Sequence, residues 1–187
     1  MNRLYTGNEH FTYDDMPVNR LLSDFLMWVS SDLTNSVTRS ILAEYIVSSA
    51  LELDVTLRQS NEPYRIPYNG NVIEVKSSAY IQSLQSDVLS SPIFGIAPTY
   101  VFDDNEIVKR ERKSQIYVFC LLDCLNREII EPLHLEQWKF YVLPTSVLNE
   151  QCGEQKTLTL NALKALYPTE ATYETLKSVI DNYAERI

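Results

Sequence analysis

Glu74 and Lys76 stand two residues apart in the run Val72-Ile73-Glu74-Val75-Lys76-Ser77-Ser78-Ala79-Tyr80-Ile81-Gln82. In an extended strand Val72, Glu74 and Lys76 point one way, and Ile73 and Val75 the other. The apolar pair anchors the strand in a core. The acid and the base share the opposite face, their Cα atoms roughly 6.5–7 Å apart. Charged neighbours on one strand face run against strand propensity, and a metal-and-phosphate site is one arrangement that rewards them. The bland alternative is an exposed ion pair on an edge strand, which contributes little.

The elements around this run are read from spacing. Tyr64–Tyr68, the Asn69-Gly70-Asn71 turn signal and Val72–Ser77 predict a hairpin, with Pro67 placing its first strand at an edge. Upstream, Asn35 or Ser36 to Leu53 predicts a helix whose apolar stripe is Val37, Ile41, Ser48 and Leu51. Glu44 falls on that stripe, where a carboxylate is costly unless paired or metal-bound; a slight roll of the helix would instead bring it to the rim. An earlier helix is expected from Pro17, capped by Asp14 or Asp15, with Leu21, Leu22, Phe25, Met27, Trp28 and Val29 on its apolar side. Ala79–Leu89 reads as a short helix, and Ile93–Ile96 and Thr99–Phe102 as short extended pieces.

Ile116–Leu122 is apolar on both faces, as in a central strand. Trp138–Leu143 is a further strand, and Thr157–Leu160 a short one leading into a helix over Asn161–Leu166. A last helix is expected after Pro168 with Thr169 as its cap. This order implies an α/β fold, a mixed central β-sheet flanked by helices.

At 187 residues one domain is expected: an N-terminal helical segment over 15–53, a core over about 35–145, and C-terminal helices over 161–187. No apolar run reaches the ~18–20 residues of a membrane span, and Met1–Tyr5 lacks the layout of a signal peptide. Cys120, Cys124 and Cys152 make an odd set without a CxxC pair, so a cytoplasmic, reducing location is expected. The net charge of −9 argues against a free-standing, non-specific DNA binder. Any nucleic-acid contact has to be local, through Lys109, Arg110, Arg112 and Lys113 in the charged stretch Asp103–Ser114, which otherwise reads as a solvated loop.

A Glu-bearing helix, then a hairpin, then Glu74-Val75-Lys76 on its second strand resembles the PD-(D/E)XK nuclease superfamily. The resemblance covers roughly residues 35 to 125 and is strongest over Ile73–Gln82. Ile116–Phe119 and Gln137–Pro144 also look like segments of uncharacterised bacterial members. It implies a restriction-endonuclease-like core and Mg²⁺-dependent hydrolysis of phosphodiesters, with Mn²⁺ as a substitute. By motif, Glu74 and Glu44 would be metal ligands, Lys76 the catalytic lysine, and Gln82 an accessory polar group, as in the exonuclease-like branch.

The chain departs from that pattern at one position. The signature Asp, some nine residues before the Glu, falls on Arg65, whose guanidinium cannot ligate Mg²⁺ and competes with it for Glu74 and Glu44. Glu62 or Asp54 would have to move in as a replacement. Two readings follow: a Mg²⁺-dependent deoxyribonuclease, or a catalytically inactive nuclease-fold protein acting in binding or assembly, with a protein partner or a second copy. In the latter, Arg65 stands where the metal was. Both readings expect Glu44, Arg65, Glu74 and Lys76 in one pocket.

Overall fold

The computed structural model describes residues 4–54, 65–83, 88–103 and 106–187. An N-terminal hairpin pairs β1 (His10–Tyr13) with β2 (Met16–Leu21), and helix α1 (Leu22–Val29) follows directly. Helix α2 (Ser36–Ala50) precedes a second hairpin, β3 (Arg65–Tyr68) with β4 (Asn71–Ala79). Short strands β5 (Ile93–Gly95), β6 (Thr99–Asp103) and β7 (Glu106–Glu111) lead to β8 (Ile116–Leu122), β9 (Trp138–Pro144) and helix α3 (Thr145–Cys152). Then come β10 (Thr157–Thr159), α4 (Leu160–Ala165), β11 (Thr169–Ala171) and α5 (Tyr173–Ala184).

The central sheet has five strands in the order β11-β9-β8-β4-β3. β4 runs parallel to β8 and the other neighbours pair antiparallel, so the sheet is mixed, as expected. Strand alternation gives it two distinct faces. Ile73, Val75 and Ala79 of β4, with Val118 and Cys120 of β8 and Phe140 and Val142 of β9, pack under α2 and α5. The opposite face carries Tyr117, Phe119, Leu121, Tyr141 and Leu143, covered by Leu148 of α3, Leu163 of α4 and the β5–β10 pair. β8 is buried along its whole length because both layers close on it. Each such apolar side chain contributes about 1.5–3 kcal/mol.

The hairpin that carries the Glu/Lys couple is set by its turn. Asn69 (φ 47°) and Gly70 (φ 78°) both take the left-handed conformation that a two-residue turn of primed type requires. That turn fixes the register Tyr68↔Asn71, Pro67↔Val72, Ile66↔Ile73 and Arg65↔Glu74.

Several expectations are corrected. The segment from Pro17 is strand rather than helix. Asp14 (φ 54°) and Asp15 (φ 59°) turn a hairpin instead of capping, and the helix starts only at Leu22. No helix forms where residues 79–89 are described, since Ala79 ends β4. The charged stretch after Asp103 is not a loop but holds β7, paired with β6. Thr169 opens β11, and Thr172 precedes α5 with a reciprocal Thr172–Thr175 capping box. Among the described residues no helix is long and apolar enough to cross a membrane.

Candidate functional site

Glu74 lies on the sheet face away from α2, at the second position of the β3–β4–β8 ladder. Arg65 is its direct partner on β3 and Tyr117 on β8. It is buried, 7% exposed, and both carboxylate oxygens are engaged. Lys76 Nζ is 2.6 Å from Oε1. Ser114 Oγ donates to Oε2 at 3.1 Å, and Arg65 Nε stands 3.6 Å from the same oxygen, an ion pair without a hydrogen bond. Ser114 is itself buried, its carbonyl accepting a 2.6 Å hydrogen bond from Thr145 Oγ1.

Two effects compete on this carboxyl. Burial pushes its ionisation up, while the charge and hydrogen bond of Lys76, the Ser114 hydroxyl and the charge of Arg65 pull it down. The attractions win, and Glu74 is held below the ordinary carboxylate range. Tyr117 responds oppositely: burial, then the negative charge of Glu74, raise its phenol above the ordinary tyrosine value. The cluster is therefore an anion clasped by two cations and a hydroxyl.

That donor set does not fit Mg²⁺. A hard divalent ion takes about six oxygen ligands, whereas here a single carboxylate is already satisfied and faces two fixed positive charges. Among the described residues no group of three His, Cys, Asp or Glu side chains converges to hold a metal.

Of the residues predicted for the site, the structure brings Arg65, Glu74 and Lys76 together and leaves two apart. Glu44 does not join them. It sits on α2, over the face lined by Ile73 and Val75, one turn beyond Ser40, whose hydroxyl is 3.1 Å from that of Ser77. Its charge reaches Cys120, the partner of Ser77 on β8, and helps raise that thiol after burial has done most of it. The stripe holds at its C-terminal end, where Ser48 and Leu51 are buried, and fails at Val37 and Ile41, which are exposed because α2 is rolled to bring Arg39, Ala43, Ile46 and Val47 inward.

Gln82 is also elsewhere. Its Nε2 donates to Ala79 O at 2.7 Å and its Oε1 accepts from Arg39 Nη2 at 2.9 Å. Ala79 is five strand residues beyond Glu74, roughly 16 Å along β4, so Gln82 closes the far end of the strand. There Arg39, only 2% exposed, also donates to Thr34 O at 2.6 Å. Desolvation lowers its guanidinium to about 10, against the pull of Asp32, and it stays charged at neutral pH.

Asp54 is exposed just past α2, and Glu62 lies outside the described residues. The exposed edge-pair alternative is overturned, because β4 lies between β3 and β8 and Glu74 is buried. Ser114 and Tyr117 were missed. Only the parallel β4–β8 register, with Gln115 N donating to Val72 O at 2.9 Å, brings them to Glu74.

The basic cluster is divided between the interior, which takes Arg112, and the surface. Arg112 is buried and donates to Ile96 O at 2.8 Å, Asn149 Oδ1 at 2.9 Å and Gln155 O at 3.3 Å. Arg110 pairs with Glu154 at 2.8 Å beneath the Tyr100 ring, and Lys109 with Glu111 at 2.6 Å. Lys113 remains exposed. Comparisons with protein-family models, with curated proteins and with solved structures returned no match.

Proposed function

We propose that this chain is a nuclease-like α/β module of the PD-(D/E)XK type that binds or assembles rather than cuts. Its former metal site is now an internal ion cluster. The observation that carries this reading is the cross-strand partnership of Arg65 with Glu74, in the position where the resemblance calls for an Asp. The order of α2, the β3–β4 hairpin and the parallel strand β8 supports the ancestry. Lys76, which would orient a water in an active relative, spends its charge on Glu74. The net charge of −9 and the inward engagement of Arg112 favour a protein partner over nucleic acid.

Calorimetric titration with Mg²⁺ and Mn²⁺ tests it, beside cleavage assays on single- and double-stranded DNA and on RNA. The wild type is expected to show no saturable binding at millimolar metal and no cleavage. Arg65→Asp, which removes the competing cation and adds a carboxylate, is expected to gain Mn²⁺ binding. Metal-dependent cleavage by the wild type that Lys76→Ala abolishes would make the chain an enzyme and end this reading.

A further inference from the structure

Helix α1 reads Leu22-Ser23-Asp24-Phe25-Leu26-Met27-Trp28-Val29, and from Phe25 onward it is apolar around its whole circumference. A helix of that kind belongs in an interior. None of its residues is buried: Trp28 is 74% exposed, Met27 63% and Leu26 51%. It follows β2 directly and is tied to the segment just before β1 by Leu22 N to Glu9 O and Ser23 N to Gly7 O, both at 2.8 Å. Between helix and hairpin runs an open groove of about 480 Å³ with Phe11, Val18, Leu21, Phe25 and Trp28 along it.

We infer that this N-terminal arm is a self-association surface, and that its occupant is the arm of a second copy of the same chain. Three observations select that occupant. The first is area. At about 150–250 Å² per aromatic side chain, the exposed parts of Phe11, Phe25 and Trp28 offer roughly 300 Å². Leu26, Met27, Val29 and Val18 bring the patch to on the order of 600 Å². That stands at the upper end of the ~300–600 Å² of the largest apolar patch on a typical monomer and approaches the ~800 Å² per partner of a stable interface.

The second is shape. The arm carries both a ridge (Leu26, Met27, Val29) and an apolar groove, as a two-fold contact requires when one patch must fit itself. The third is charge. Two chains of net charge −9 repel, but the groove holds one cation, Arg20, and one anion, Asp24. A two-fold pairing can set Arg20 of each copy near the other's Asp24. The arm is separate from the Glu74 cluster, so the two readings fail independently.

Sedimentation equilibrium of the full chain tests this. The expected mass is about 43 kDa, twice the 21.6 kDa chain. Trp28→Glu and Phe25→Glu should each weaken the dimer by at least ~30-fold, the size of an interface hot spot. Because neither side chain is buried in the single chain, Trp138, 2% exposed, should keep its shielded emission in Trp28→Glu. In the wild type, acrylamide quenching of Trp28 should fall as protein concentration rises. A wild type that stays monomeric, a dimer of undiminished strength in both variants, an open-ended oligomer, or quenching that ignores dilution would each overturn the assignment.

Discussion

Glu74 is the residue on which the charged cluster turns, and its energetics are one-sided. Replacing it with Gln leaves Lys76 and Arg65, 26% and 20% exposed, without their shared anion. Breaking a fully buried pair costs about 3–5 kcal/mol. Since both cations reach some solvent, about 2–3 kcal/mol is the expected loss in urea unfolding at pH 7. The pH dependence follows from the lowered carboxyl. The stabilisation is complete above the unfolded-state value near ~4.3 and disappears as pH falls through the lower folded value. Wild type and Glu74→Gln should therefore converge in stability on acidification. A gap that stays constant down to strongly acid pH would mean that Glu74 is uncharged in the folded protein. The couple Glu74/Lys76 was legible in the sequence because period-two alternation puts both on one strand face. Its saturation by Ser114 was not, since a hydroxyl forty residues away leaves no local mark.

Among the elements, the hairpin and α2 hold the site's surroundings, and each offers a test. Gly70→Ala meets open space but keeps a φ of +78°, so strain alone should cost ~1–2 kcal/mol; a thermal melt measures it. A neutral result would mean that the turn relaxes into another type. Gln82→Ala strips Arg39 of its Nη2 partner, and Arg39 Nε already lacks a hydrogen bond. A loss of ~1–3 kcal/mol is expected, with no change in the response to metal. A metal effect would return Gln82 to the Glu74 site. The roll of α2 was hidden because its inward face includes an arginine, which a hydrophobicity pattern assigns to solvent. Arg39 is inside because Thr34 and Gln82 meet its guanidinium and the charge of Asp32 offsets part of its desolvation.

At the scale of the molecule, charge and topology decide what can bind. With net charge −9, Arg112 buried and Arg110 paired with the surface carboxylate of Glu154, a labelled DNA duplex should show no saturable binding at low salt in fluorescence anisotropy. Binding with a steep salt slope would reveal a cationic surface that these pairings do not provide. The sequence by itself determined the hairpin, the doubly buried strand β8, the mixed α/β class and the placing of Glu74 and Lys76 on one strand face. These follow from local turn chemistry and residue periodicity, which act over a few residues. Only the tertiary structure decided that Glu44 and Glu74 lie on opposite faces of the sheet and that Arg112 points inward. Face and partner depend on strand register and helix roll, and those are set by contacts between segments far apart in the chain.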